Sequence, residues 1–434
     1  MHPRVLVVGT VPYDTKESSR AFDAYFHFWE RENLAQIFSN PKVPCKGHCN
    51  TLYQITDKSL LLRWLAKEKD IGKIYYYEDL LEERVDLEIE DSLQIQKAYQ
   101  IGRKHTPITR LLRGILWKKK FWCTEKFNRW LDEFQPECVF LAFSDDYFIP
   151  RIALYIAQKY NIPIVSCIGD DYYFNKHFSL NPIYQIYKES YKALIRKVLK
   201  YSGGAIYISD KIKDKYNSEF NLNGETVYLT STVQRKKFQP VNVKHPLITY
   251  FGNIRMGRNH SLCDIADALG EINPEYKIEV YSNELDESNY KILQTNPYVI
   301  YGGAIPYKAV QEKIRQSDIT VIVEGFDEND IELSRYSLST KAADALASGT
   351  AILAYGSEEC GIIEYMKSTN AATVCTNKKD LSMMIRSMIE DVEQQQRQYE
   401  QQIFITEQHH NLNKSTNIAT TVIERTIRKS KEIV

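Results

Sequence analysis

The stretch VEGFDENDIELSRYSLSTKAADALASGTAILAYG, Val323 to Gly356, decides how this chain folds. Thr320 to Val323 is apolar, Thr340 to Ala347 is rich in Ala and Leu, and Ala351 to Ala354 is apolar again. Ser339 stands where a helix N-cap is expected and Gly349 where a helix stops, so the window reads as strand, helix, strand. A helix placed this way begins at the ligand-binding edge of a parallel sheet. Ser339, Thr340 and Lys341 open it. A lysine in a first turn faces the positive end of the helix dipole, which becomes favourable once an anion sits there on the free backbone N–H groups. An ordinary surface lysine is the plain alternative.

The same rhythm runs through the rest of the chain. Val5 to Val8, Cys138 to Phe143, Ile164 to Ile168, Ala205 to Ile208, Leu247 to Phe251 and Ile278 to Tyr281 are short apolar runs separated by helical patterns. They are apolar at consecutive positions, as expected of parallel strands covered by helices on both faces. Glycines and polar residues follow them: Gly9 and Thr10, Ser144 to Asp146, Gly169 to Asp171, Gly252 and Asn253, Ser282 and Asn283, Glu324. This is the distribution of an open α/β sheet with ligands at its carboxyl edge.

With 434 residues the chain exceeds what one core supports, so two domains are expected. The polar segment Ser231 to Pro246 reads as the linker. Lys and Arg number 56, as do Asp and Glu, so no net field draws the molecule to nucleic acid. Eight scattered cysteines, without a C-x-x-C pair, fit a reduced cytoplasmic setting and argue against zinc. No run approaches ~18 apolar residues, so a membrane span or signal peptide is not expected. The Gln394 to Gln402 stretch reads as a solvated helix.

The segments YFGNIRMGRNHSL from Tyr250, YGGAIPYKAV from Tyr301, SDITVIVEGFD from Ser317 and STKAADALASGTAILAYG from Ser339 together resemble the GT-B glycosyltransferases. The likeness is to their retaining, nucleotide-sugar-dependent group, glycosyltransferase family 4 (group 1). The resemblance implies an α/β chain of two doubly wound Rossmann-like domains facing across a cleft. Residues 1–235 would bind the acceptor, 245–410 the nucleotide sugar, and the helix 411–434 would pack back towards the N-terminal domain.

It also implies residue roles. Gly252 and Asn253 open a phosphate loop, and Arg255 and Arg258 set cations against the diphosphate, a task that suits the planar guanidinium. Ser282 and Asn283 enclose the base, as does the stretch Gly302 to Ile305, while Ser339, Thr340 and Lys341 complete the phosphate site. Glu324 matches the first acid of the family's paired motif, on the donor sugar, and Asp344 the second, on the ribose. The insert DENDIELSRYSL lengthens the spacing between them and reads as a flap over the sugar. Asp145 and Asp146 lie where related enzymes often carry a histidine facing that sugar, and as paired acids would position its hydroxyls or act as a base; Gly9, Thr10 and Asp170 fall on the acceptor side. Neither a metal nor a resident cofactor is implied. Two alternatives stay open: a nucleotide-sugar epimerase, and a non-catalytic nucleotide-sugar-binding protein.

From Ile101 to Arg129 there are nine Lys or Arg and one acid, after an acidic run from Glu78 to Asp91. Ile108, Leu111, Leu112, Ile115, Leu116 and Trp122 share one face of a continuous helix, which reads either as a basic amphipathic helix on a membrane or as a core helix with a solvated basic side. The membrane reading makes the protein peripheral on the inner face and the acceptor a lipid-linked saccharide rather than a free one, as in bacterial surface polysaccharide assembly.

Overall fold

A computed structural model of the chain describes residues 1–11, 20–66, 70–81, 107–175 and 181–432. Two units emerge, one of Met1–Phe174, Phe178–Val227 and Thr416–Val434, the other of Asn175–His177 and Tyr228–Ser415. The segment Ser231 to Pro246 therefore belongs wholly to the second unit. Its polar composition hides Val233 and Val241, which are buried, and Lys236 N–H donates to the Ser348 carbonyl at 2.9 Å.

In the first unit eight strands form one sheet: β1 (Val5–Val8), β2 (Leu34–Phe38), β3 (Thr51–Gln54), β4 (Lys73–Tyr76), β5 (Cys138–Ala142), β6 (Ile164–Ile168), β7 (Ser202–Tyr207) and β8 (Glu225–Thr226). Their order is β4-β3-β2-β1-β5-β6-β7-β8, parallel throughout except for β3 with β4. The sequence hides β2 and β3 because buried polar side chains interrupt them, each matched by a distant partner. Gln36 Nε2 donates to the Val11 carbonyl at 2.7 Å, and the Thr51 hydroxyl accepts from Trp130 Nε1 at 2.9 Å. The helix Leu412–Glu432 crosses β7 so closely that a Cβ on Gly204 would come within 2.2 Å of the Thr426 hydroxyl.

The second unit holds six parallel strands: β9 (Ile248–Phe251), β10 (Ile278–Tyr281), β11 (Val299–Gly303), β12 (Ile319–Val323), β13 (Ala351–Tyr355) and β14 (Thr373–Cys375), in the order β11-β10-β9-β12-β13-β14. Apolar side chains from β9, β10, β12 and β13 build its core with those of the helix Arg258–Ile272. Gly302 and Gly303, read as loop, end the edge strand β11. In each sheet the connections reverse direction at one place, between β1 and β5 and between β9 and β12, where open α/β sheets bind ligands.

Two surface readings need correction. The glutamine-rich helix, Val392–Gln408, is not solvated all round: Gln395, Gln398 and Gln402 share a buried face, and Gln402 Nε2 donates to the carbonyls of Thr350 and Ala371 at 2.9 and 3.2 Å. The basic stretch is not one helix. It divides into Pro107–Leu116, Lys119–Trp122 and the start of Glu125–Phe134, with Trp117 and Trp122 both turned into the core. Arg113 also points inward, while Leu112 and Ile115 are exposed. Residues 82–91 of the acidic run, 101–106 of the basic one, and the side chains of Ile108 and Leu111 lie outside the described residues. Among the described residues no helix is long and apolar enough to cross a membrane.

Candidate functional site

The point of reversal in the second unit brings Gly252, after β9, beside Glu324, after β12. Gly252 has φ of 136°, a conformation that favours glycine, and a Cβ there would meet Lys341 Cε at 2.2 Å. The missing side chain is what lets the lysine run past the loop. Lys341 enters from the first turn of the helix Thr340–Ser348, whose N-cap Ser339 accepts from Lys341 N–H at 3.3 Å and whose stop, Gly349, has φ of 78°. Lys341 Nζ donates to the Tyr250 hydroxyl at 2.8 Å, and that hydroxyl donates to the Asn253 carbonyl at 2.5 Å. Burial, with the nearby charge of Arg258, pulls the lysine down to about 7, Glu324 acting in the opposite sense. Such a lysine gains a proton when an anion arrives.

Arg258 opens the helix Arg258–Ile272 and grips Glu324 with two bonds, Nε to Oε2 and Nη2 to Oε1, each 3.0 Å. Both side chains are nearly enclosed, and burial holds the Glu324 carboxyl above its ordinary value despite Arg258 and Lys341. Gly356 allows this approach: a Cβ there would lie 2.9 Å from the Glu324 Cβ. Arg255 is exposed and binds Glu284 across the mouth of the loop, with its N–H held by the Asn253 side chain at 2.7 Å. Ser282 is buried, its N–H donating to the Gly303 carbonyl; Asn283 and Thr340 are exposed. Asp344 is buried and accepts from the Ser231 hydroxyl at 2.5 Å, with the Tyr307 hydroxyl 3.5 Å away.

The insert forms the helix Glu328–Ser334, anchored by buried Ile331 and by the Ser334 hydroxyl on Cys360 Sγ at 3.2 Å. Its Asp330 carboxylate lies against the loop, within 2.6 Å of where a Gly257 Cβ would stand.

In the first unit the reversal between β1 and β5 joins Thr10 to Ser144, hydroxyl to hydroxyl at 3.0 Å. Gly9 N–H donates to the Ile37 carbonyl. Asp145 is exposed, its carbonyl accepting from the Tyr187 hydroxyl at 2.7 Å. Asp146 is held by Arg113 at 2.5 Å, which also reaches Asp57 at 3.0 Å, and Trp117 Nε1 donates to the other Asp57 oxygen at 2.6 Å. Burial keeps the Asp146 carboxyl above its ordinary value, with Arg113 pulling the other way. Asp170 is exposed at the end of β6, next to Asp171, which instead accepts from two backbone N–H groups and from the Tyr216 hydroxyl.

The structure therefore gathers Gly252, Asn253, Arg258, Glu324, Ser339 and Lys341 around one point, with Arg255 turned outward. Tyr250, Glu284, Tyr307 and Ser231 join the site without any sequence signal, since a lone Tyr, Glu or Ser has no pattern to betray it. Gly252→Ala is expected to displace Lys341 and to weaken binding of a phosphate-bearing ligand about tenfold or more, a loss of ~1.4 kcal/mol that titration calorimetry reads directly. An unchanged affinity would mean that the lysine is not part of the site.

No protein-family model and no curated protein sequence matches this chain. Solved structures do. The sucrose-phosphate synthase of Thermosynechococcus elongatus aligns over 99% of this chain and 99% of its own, with a TM-score of 0.58 and 9% identity. HepE of Anabaena, solved in complex with UDP-glucose, aligns over 100% of both chains with a TM-score of 0.57 and 12% identity; its complex with UDP gives 0.56 and 10%. The chain has the GT-B fold, with two parallel-dominated sheets, as the sequence implied.

Proposed function

We propose that this protein is a glycosyltransferase that moves a sugar from a nucleotide diphosphate to an acceptor hydroxyl. The observation that carries the reading is Lys341, threaded past Gly252 at the point of sheet reversal and poised to meet an anion. The binding of UDP and UDP-glucose by HepE, a protein of the same fold, supports a nucleotide-sugar donor. We assign the diphosphate to Lys341, the Ser339–Thr340 turn, Arg258 and Arg255, the ribose to Asp344, and the base to Ser282 and Asn283. Acceptor contacts fall to Gly9, Thr10 and Asp170, with Asp145 and Asp146 orienting the sugar.

In the reaction the bond from the anomeric carbon to the diphosphate oxygen breaks while the acceptor oxygen bonds to that carbon. Fixed cations stabilise the charge that grows on the departing phosphate. With a retaining outcome, the leaving oxygen takes the acceptor proton on the same face and no dedicated base is required. We assign the donor sugar to the hexoses and the acceptor to a saccharide or lipid-linked saccharide of bacterial surface polysaccharide or glycolipid assembly, at the cytoplasmic side.

Incubation with single nucleotide sugars, with and without extracted lipid acceptors, tests the reading. Transfer or hydrolysis supports it, whereas sugar isomerisation or binding without turnover favours an epimerase or a binding protein. Because Arg258 and Lys341 can neutralise the diphosphate, the enzyme is expected to work without a metal, and EDTA should leave turnover within about twofold of its starting value, given that charge stabilisation here comes from side chains. Loss of activity in EDTA with recovery on adding manganese or magnesium would overturn the metal-free mechanism.

A further inference from the structure

Two neighbouring helices of the first unit present apolar side chains that its core does not use. On Asp57–Ala66, Trp64 is 52% and Leu65 71% exposed; on Pro107–Leu116, Leu112 is 55% and Ile115 44% exposed. Among the described side chains of these helices and the turn that follows, Leu60, Trp117 and Trp122 are buried and Arg113 is bound to Asp57. The outward residues are thus surplus to folding. Beside them, Lys118, Lys119 and Lys120 are all exposed. The Trp64 ring lies 6.3 Å from that of Phe121, and Lys120 Nζ lies 4.8 Å from the centre of the Phe121 ring, so the aromatic and basic groups form one surface. Among the described residues none of the three lysines is paired with a carboxylate, whereas Lys159, Lys213 and Lys313 elsewhere are.

We propose that this surface seats the protein on an anionic lipid bilayer. Trp64, Leu65, Leu112 and Ile115 enter the interfacial region, and Lys118 to Lys120 meet lipid phosphates. Charge complementarity selects the occupant. A partner protein of matching chemistry would need a concentrated acidic patch around an apolar centre, while an anionic leaflet offers both at once, and tryptophan is favoured at its boundary. The surface comes from two helices rather than from the single basic helix that the sequence suggested, which is why its apolar members are not in one helical register. The proposal deepens the glycosyltransferase reading by bringing a lipid-linked acceptor within reach.

Flotation with phosphatidylglycerol-containing vesicles, against pure phosphatidylcholine, tests it with neither donor nor acceptor present. Failure here leaves the glycosyltransferase assignment standing, and an inactive enzyme that floats leaves the surface standing. The parent protein is expected to float only with anionic vesicles and to be released as salt screens the attraction. Replacing Lys118, Lys119 and Lys120 with Gln should lower partitioning on the order of 100-fold, at about fivefold for each charge. Trp64→Ser with Leu65→Ser should also detach the protein, with the nucleotide-sugar thermal shift unchanged in both variants. The lysine variant gives up only the contacts of Lys119 with the Tyr155 ring and of Lys120 with the Phe121 ring and removes no apolar side chain, so it remains interpretable if the other folds poorly. No flotation of the parent, equal flotation of the lysine variant, or concentration-dependent dimerisation that the Trp64/Leu65 variant abolishes would overturn the proposal.

Discussion

Lys341→Met is expected to lower turnover ~100-fold or more while the protein becomes slightly more stable at neutral pH. Removing one preorganised charge-stabilising group from a transition state typically costs this much. Methionine keeps most of the volume of the lysine stem beside Gly252, and Tyr250 retains its bond to the Asn253 carbonyl. The gain in stability has a defined sign. Burial pulls Lys341 from its ordinary 10.5 down to about 7, so between those values the unfolded chain holds one more proton than the folded one. The cost of burying this charge is therefore fully present below pH 7 and fades as pH rises towards 10.5. Melting temperatures of parent and variant should differ most near pH 6 and converge by about pH 10.

The same residue predicts how donor binding responds to pH. An arriving diphosphate favours the charged lysine, so above pH 7 binding takes up a proton and weakens by up to tenfold per pH unit, whereas below pH 7 it levels off. A nucleotide sugar is the suitable probe because, unlike a nucleoside diphosphate, it has no terminal phosphate group titrating near ~6. Calorimetry in buffers of different ionisation enthalpy measures the proton uptake. Lys341→Met should abolish it, and a pH-independent affinity in the parent would remove Lys341 from the diphosphate.

What the sequence revealed and what it hid divide along one line. Ser339, Lys341 and Gly349 were legible because capping and dipole rules act within a single helix. The strands β1, β5, β6, β9, β10, β12 and β13 were legible because both faces of a parallel strand are apolar. Hidden features depend on partners far along the chain. Tyr250 is 91 residues from Lys341, and Arg113 is 33 from Asp146 and 56 from Asp57. Arg113 illustrates the point: its sequence neighbours are basic and apolar, so it reads as one more surface cation, and only the fold delivers the two carboxylates that turn it inward. Gln36 was passed over and Gln402 misread for the same reason, since the carbonyls that satisfy them belong to other segments.

Arg258→Ala is expected to destabilise the second unit by about 3–5 kcal/mol, because it strands the enclosed Glu324 carboxylate without its partner. That cost says little about catalysis, since an unfolded enzyme is inactive for any reason. The informative variant is Arg258→Met with Glu324→Gln, which removes both charges, keeps similar volumes and should recover most of the stability in urea unfolding, as neutral replacements of buried ion pairs often do. On the roles proposed for the pair, its turnover should nevertheless stay far below that of the parent, by ~100-fold or more, with both the cation for the leaving phosphate and the acid for the donor sugar removed. Glu324→Gln alone separates the two roles. It leaves Arg258 charged and free of its neutralising partner, so nucleoside diphosphate should bind at least as tightly as in the parent while transfer falls. If Arg258→Ala unfolds in urea at the parental midpoint, the pair is not the buried bridge described here; if the double variant transfers sugar at the parental rate, it is a structural bridge and the phosphate is held by Lys341 and the helix terminus without it.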